Sequence, residues 1–260
     1  ADRLGGVLPQ CIHHGFGLGR FREDLTGPEY AAREIARLEE TNIEVRRNTA
    51  VLEIGADRTA LLSSTCGCER VRFRRMILAT GCRETPIGAL NVAGTRPAGV
   101  WTAGQAQRMV NLLGWELGRE IVILGSGDIG LIMARRFTLK GCRVTVVEQR
   151  DRCGGMERNY RSCILAHHIP LMTQCTVARI HGQGRIAGVT VGHLDTGTEE
   201  YLPCDALITA VGLVPERELL RPLGEPLPDW VSLCGNCDYV HEIVDTVTAQ
   251  AEALGRKLGE

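Results

Sequence analysis

Apolar positions along the chain follow two rhythms. Ile121-Val-Ile-Leu124 is an unbroken apolar run that stops on Gly125-Ser-Gly-Asp-Ile-Gly130, after which Ile129, Ile132, Met133 and Phe137 recur at helical spacing. The pattern predicts a buried strand, a glycine-rich turn and a helix starting near Asp128 that packs one face on a sheet. Gly141 ends that helix, and Arg143–Val147 is a second strand that closes on Glu148. Two further apolar runs echo each other, Met76 to Gly81 and Leu207 to Gly212, each ending on a small residue and a glycine with a proline soon after. Towards the N-terminus, Gly27-Pro28-Glu29 opens a helix with Ala31, Ile35 and Leu38 on one face, fading at Asn42. Three β-type segments follow, Ile43–Val51, Thr59–Ser64 and Val71–Leu78. Helices are predicted over Ala103–Leu113 and Met156–His167. Strands are predicted over Leu171–Gln174, Val177–Ile180, Ile186–Leu194 and Ala206–Ala210. Trp230–Cys234 reads as a last strand and Val240–Leu254 as a last helix, with Ile243, Val247 and Ala251 on its buried face. Strands alternating with helices predict an α/β fold with a parallel sheet covered on both faces.

Composition changes this picture little. The chain has 260 residues, 44% of them hydrophobic, and a formal net charge of -1, which excludes an electrostatic nucleic-acid binder and a solvating acidic tail. Arg72, Arg74 and Arg75 alternate with apolar residues and read as the solvated face of a strand. No apolar run approaches the roughly 18 residues of a membrane span. The first residues lack a signal-peptide pattern and a starting methionine, so the expectation is a cytoplasmic protein whose sequence begins inside a longer chain. The eleven cysteines are odd in number, which fits free thiols in a reducing compartment.

The candidate chemistry centres on the glycine turn. Gly125 lets the chain turn off its strand. Gly127 leaves room for a pyrophosphate. Gly130 lets the helix approach the sheet, and the helix N-terminus at Asp128 and Ile129 offers N–H groups to phosphates. Glu148, 23 positions after Gly125, is placed to accept hydrogen bonds from an adenosine ribose. Its carboxylate favours NADH over NADPH by repelling a 2′-phosphate, although Arg150 leaves that choice open. Cys11 and His13 lie together in a glycine-rich segment, where a thiol beside imidazoles is a candidate low-pKa nucleophile; the competing reading is a structural cysteine. Cys66 and Cys68 read as a hairpin turn, since two thiols do not make a zinc site, and no metal is expected. Cys234 and Cys237 form a CxxC at a strand–helix junction, which is either a redox dithiol or part of a ligand-binding turn at Gly235-Asn236.

Several segments together resemble the two-dinucleotide-binding-domain flavoproteins of the pyridine nucleotide-disulfide oxidoreductase-like family. The segments are Leu4 to His13, Leu25 to Tyr30, Leu78 to Glu84, Thr95 to Val100, Gly125 to Arg135, Cys234 to Asn236 and Val240 to Asp245. Within that family the chain looks most similar to the NAD(P)/FAD-dependent oxidoreductases that accompany anaerobic glycerol-3-phosphate dehydrogenase. The resemblance implies two nested Rossmann-like domains. Residues 1–102 and 213–260 form the FAD-binding domain, incomplete at its N-terminus, and residues 103–212 form an inserted NAD(P)-binding domain. It implies that Gly5, Gly6 and Gln10 line the flavin and that Val51 touches the adenine end of FAD. Thr80 and Gly81 pass close to the FAD chain, and Gly212 belongs with the cofactor-binding residues. Gly235 and Asn236 face the ribityl or pyrophosphate region, and the helix starting near His241 points at the flavin.

Three departures qualify the resemblance. The strand–GxGxxG–helix that holds the FAD ADP moiety is expected in the ~40 residues before Ala1, the size of a βαβ unit. The stretch between Gly212 and Cys234 is short, as if a small strand pair were missing. The position of the thioredoxin reductase CxxC reads Gly99-Val-Trp-Thr-Ala-Gly104, without cysteine. The expected function is an FAD-dependent NAD(P)H oxidoreductase passing hydride between nicotinamide and flavin, and electrons to a partner flavoprotein dehydrogenase subunit or a small-molecule redox substrate. The alternative is a non-catalytic or truncated nucleotide-binding subunit of such a complex.

Overall fold

The computed structural model describes residues 1–259, which fall into two compact units, residues 1–83 with those from 214 onward, and residues 84–213.

In the unit of residues 84–213 the five-stranded sheet runs in the order Leu171–Met172, Arg143–Val147, Glu120–Leu124, Ala206–Thr209, Val100–Thr102, with every neighbouring pair parallel. The period-2 alternation of a strand explains why the central runs are apolar throughout. Ile121 and Ile123 enter one core with Val144, Val146 and Ile208, and this core is covered by the helices Ala103–Leu112 and Asp128–Leu139. Val122 and Leu124 point the other way and join Val147 and Leu207 in a second core. That second face is covered by the antiparallel strands Cys175–Gly182, Ile186–His193 and Glu199–Pro203, with Ala93–Gly94 at the edge. Asp205 ties the start of the central strand, accepting the N–H groups of Arg119 (2.9 Å) and Glu120 (3.0 Å). The helix after Val100–Thr102 is started by a capping box in which Thr102 and Gln105 satisfy each other's backbone N–H groups.

In the other unit the antiparallel pair His14–Phe16 and Leu25–Thr26 leads into helix Gly27–Glu39, whose Thr26–Glu29 capping box and Pro28 set its start where the sequence placed it. An antiparallel sheet follows, made of Ala50–Ile54, Thr59–Ser64 and Gly67–Arg72. Met76–Leu78 pairs in parallel with Val231–Leu233, and the helix Val244–Gly259 completes the unit. Its core gathers Ile54, Leu78, Leu220, Trp230 and Cys237.

Three expectations are corrected. The first strand of the antiparallel sheet starts at Ala50, not Ile43, because Ile43 is exposed and its segment has no partner strand. The segment Val71–Leu78 divides into two strands belonging to different sheets. Glu199–Pro203, which the apolar pattern does not mark, is an edge strand with mostly exposed side chains. The last helix starts at Val244 rather than Val240; ahead of it the His241 N–H donates to Asn236 Oδ1 (3.0 Å). The first compact unit is left at Arg83, and Ala93–Gly94 and Val100–Thr102 are strands of the second unit's sheets.

Candidate functional site

The turn between Leu124 and Asp128 is shaped by space. Gly125 has φ +100, and a Cβ built there would lie 2.4 Å from the Ala210 carbonyl oxygen. A Cβ on Gly130 would lie 2.5 Å from the Gly125 oxygen and 3.1 Å from Ala210 Cβ. Both positions therefore exclude any side chain. Gly127 differs, because its nearest neighbour would be the Ala210 oxygen at 3.9 Å. Its missing side chain leaves open space beside the backbone. Gly127 also caps the helix without a side-chain hydrogen bond, and Leu131 N–H is the donor that reaches its carbonyl (3.0 Å). The preceding N–H groups of the first turn are left for a ligand, at the positive end of the helix. This open cradle fits the pyrophosphate of a dinucleotide.

Glu148 ends the neighbouring strand and is buried at 5% exposure. Its Oε2 accepts the backbone N–H of Ser126 (2.9 Å) and the Ser126 hydroxyl; its Oε1 accepts the Arg150 N–H (2.9 Å). Burial pushes the carboxyl pKa up, but the hydrogen bonds from Ser126 and Arg150 outweigh it and hold it below the usual range, so Glu148 is ionised. Asp128 turns sideways, its Oδ1 accepting Met156 N–H and Asn159 Nδ2 (both 2.8 Å), while Ile129 packs its side chain on the helix-covered core. These two residues thus offer backbone to a ligand. Gly212 has φ +118, and its carbonyl accepts Thr85 N–H (3.0 Å). Ser126, Gly154 and Asn159 belong to this network, yet nothing in their sequence spacing singled them out.

The candidates in the other unit lie on its loops. Gly5 and Gly6 both have positive φ. A Cβ on Gly5 would press on Pro9 and Ala31, whereas Gly6 faces open space, as does Gly81 (φ +76). Gln10 is buried and Val51 is exposed on its strand. Thr80 donates its hydroxyl to the Glu216 carbonyl (2.6 Å). Gly235 (φ +70) donates its N–H to Gln250 Oε1 (2.7 Å). Asn236 donates to Cys82 Sγ (3.6 Å), and His241 bonds Gln250 Oε1 and Thr246 Oγ1 through its two ring nitrogens (both 3.0 Å). With these side chains occupied by protein partners, the unit offers mainly backbone and open glycine surface to a ligand. Among its described residues no strand–glycine loop–helix matches the one at Gly125.

Two cysteine expectations change. Burial pushes the Cys11 thiol up to about 11, against the lowered value expected beside imidazoles. His13 Nδ1 bonds the His14 carbonyl oxygen (2.9 Å), and its ring packs on Phe16. Alkylation by iodoacetamide at pH 8 is expected to label exposed Cys66 and Cys68 first, with Cys11 only about one-thousandth thiolate. Peptide mapping that finds Cys11 among the fastest sites would restore it as a nucleophile. Cys234 and Cys237 are buried free thiols, and Cys237 donates to the carbonyls of Leu78 (3.0 Å) and Cys234 (3.2 Å). The pair fastens the turn to its strand.

Comparison with known proteins bears on the whole arrangement. The family described as pyridine nucleotide-disulphide oxidoreductase matches residues 9–231. Rhodocoxin reductase of Rhodococcus erythropolis is 29% identical over 209 residues, covering 77% of this chain and 44% of that protein. Ferredoxin–NADP reductase 1 of Bacillus pumilus is 33% identical over 114 residues, covering 44% of this chain and 33% of that protein. The chain thus spans less than half the length of these curated relatives. Thioredoxin reductase from T. acidophilum superposes with a TM-score of 0.71 at 18% identity, covering 92% of this chain and 81% of that one. Thioredoxin reductase from Lactococcus lactis gives 0.72 at 17% identity, covering 98% and 88%. At these identities the two structures show the fold: two dinucleotide-binding units of α/β type, one inserted in the other.

Proposed function

The chain belongs to the pyridine nucleotide-disulphide oxidoreductase family, and on that premise we propose that it is an FAD-dependent NAD(P)H oxidoreductase. It exchanges reducing equivalents between a nicotinamide dinucleotide and flavin, and passes them on to a partner or a small redox substrate. The observation that carries this reading is the loop at Gly125–Gly130, where two glycines have no space for a side chain, a third leaves space open, and a buried ionised acid stands on the next strand. When bound, the two cofactors supply the redox chemistry, and the protein supplies binding and orientation.

Each residue then has a task. Gly127 and the first turn of the helix Asp128–Leu139 receive the pyrophosphate. Glu148 receives the adenosine ribose and disfavours a 2′-phosphate, which makes NADH the preferred dinucleotide. For FAD the chain contributes Gly5, Gly6, Gln10, Val51, Thr80, Gly81, Gly235, Asn236 and the segment around His241. The open positions at Gly6 and Gly81 support this, because a ligand can approach the backbone there. The relatives named for reduction of rhodocoxin and ferredoxin support a protein electron carrier as partner. A flavoprotein dehydrogenase subunit, as accompanies glycerol-3-phosphate oxidation, is the finer assignment that the sequence resemblance supports. The buried Cys234 and Cys237 do not support disulphide reduction by that pair.

The second reading is a nucleotide-binding subunit without catalysis of its own. It is favoured by the lack of a second glycine loop among the described residues of the FAD-side unit. A visible spectrum of the purified chain incubated with FAD separates the two. A retained flavin band that bleaches on anaerobic addition of NADH is the expected result. A colourless chain that still binds NADH establishes the subunit reading instead.

A further inference from the structure

Ser126 lies inside the glycine loop and is fully buried, at 0% exposure. A buried hydroxyl has one proton to give and two lone pairs to fill. Here the hydroxyl donates to Glu148 Oε2 and accepts the Gly154 N–H (2.7 Å). The Ser126 backbone N–H goes to the same Oε2 (2.9 Å), and its carbonyl accepts the Cys153 thiol (3.7 Å). Three separate segments therefore meet on one residue: the glycine loop, the acid at the end of the neighbouring strand, and the loop 153–155. The meeting is tight, since a Cβ on Gly155 would lie 3.1 Å from the Ser126 carbonyl oxygen and 2.7 Å from Leu131 Cδ1.

A consequence concerns the acid. Glu148 has three donors from the chain before any nucleotide arrives, two on Oε2 from Ser126 and one on Oε1 from Arg150. Oε2 is committed to the glycine loop, so Oε1, with its remaining lone pair, is the oxygen left for a ribose hydroxyl. We propose that Ser126 is the positioning residue of this dinucleotide site: its hydroxyl fixes Glu148 in the orientation that presents Oε1 to the ribose, and at the same time clamps the 153–155 loop onto the glycine turn. Ser126 acts through Glu148 and does not touch the ligand. The inference rests on the reading of this loop as a nicotinamide dinucleotide site, and it goes beyond that reading by assigning the device that presets the acid.

Removing the hydroxyl gives a signature that simple loosening of the loop does not. The groups acting on the Glu148 carboxylate are Ser126 and Arg150, the latter with Nε at 3.7 Å and its side chain 67% exposed. Of the other titratable groups on the adjoining segments, Asp128 faces Met156 and Asn159, and Cys153 faces the Ser126 carbonyl. Without the Ser126 hydroxyl, burial of Glu148 is opposed only by backbone hydrogen bonds and an exposed arginine. Its pKa then rises, and the ionised form is lost as pH falls through that raised value.

The test is NADH binding to the full chain by fluorescence titration from pH 5 to pH 8, for wild type and for Ser126→Ala, with a ligand-free carbon-13 NMR titration of the Glu148 carboxyl. Wild-type affinity is expected to stay level over that range. Ser126→Ala is expected to weaken binding about tenfold at pH 7.5, the scale of one hydrogen bond to a charged group. Its affinity should fall further on acidification, in step with a raised Glu148 titration. Ser126→Cys, near in size and a weaker donor, should fall between the two; it replaces Ser126→Ala if the alanine variant does not fold. Glu148→Gln, which cannot ionise, should bind weakly and without pH dependence. A Ser126→Ala profile superimposable on wild type, with Glu148 titrating unchanged, overturns the proposal. If wild type binds no NADH, the dinucleotide reading fails, and the NMR titration still decides whether Ser126 controls the acid.

Discussion

Gly125→Ala is expected to cost the fold, and Gly127→Ala to cost only the ligand. At position 125 the new methyl would sit 2.4 Å from the Ala210 oxygen, and the backbone is held at φ +100, where an L side chain is strained. Neither contact can yield cheaply, because Gly125 N–H is bonded to the Val147 carbonyl (2.8 Å) and Ala210 N–H to the Leu124 carbonyl (2.7 Å). Backbone strain and overpacking together put the loss at about 3 kcal/mol or more. At position 127 the methyl meets nothing nearer than 3.9 Å, and φ is -64, an ordinary value for any residue. Its stability should stay within about 0.5 kcal/mol of wild type, as for a substitution away from packed features. The same methyl fills the space a pyrophosphate needs, so NADH affinity should drop by about a hundredfold or more, the scale of displacing several phosphate hydrogen bonds. Thermal melting and NADH titration on both variants read the two effects separately. A Gly127→Ala protein that binds NADH like wild type removes this turn as the phosphate site.

Phe137→Ala is expected to destabilise the unit of residues 84–213 by about 3–5 kcal/mol, the usual range for emptying a buried aromatic position. Phe137 is 2% exposed and lies on the helix that follows the glycine turn, in the core shared with Ile121, Ile123 and Val144. The cavity would open under the last turn of that helix and loosen the packing of the whole helix on the sheet. A melting temperature lower by about 10–20 °C is expected, with NADH affinity falling in parallel. A neighbouring surface change, Leu139→Ala, supplies the contrast, because Leu139 is 54% exposed on the same helix. If the two variants melt alike, the core is not organised around this helix face.

The elements around the glycine turn were legible in the sequence because their causes are local. Ile121–Leu124 is apolar at all four positions, two facing each core, and the three buried positions of Arg143–Val147 are valines, the pattern of strands buried on both faces. Helix starts at Thr26 and Thr102 use side chains three residues apart. Where local pattern and environment part, the sequence misled. Ile43 belongs to an apolar stretch that no strand joins, and Glu199–Pro203 is a polar edge strand held by its neighbour's backbone rather than by burial. The helix expected from Val240 begins at Val244, and the segment before it is tied instead by side chains, Asn236 Oδ1 accepting the His241 N–H.

What the sequence determined by itself is the order of strand, glycine turn, helix and terminal acid, since a missing Cβ and a period of apolar residues are properties of the chain alone. The tertiary structure decided which glycines exclude a side chain and which leaves space for a ligand, because Ala210 lies 85 positions from Gly125 in sequence (210 − 125). It also decided the state of the reactive groups. The Glu148 carboxyl is held below its usual pKa by hydrogen bonds that include those of Ser126, 22 positions away, and the half-buried Cys11 thiol is raised by desolvation. Charge and acidity depend on what surrounds a group, and those surroundings are assembled by residues that sequence spacing does not bring together.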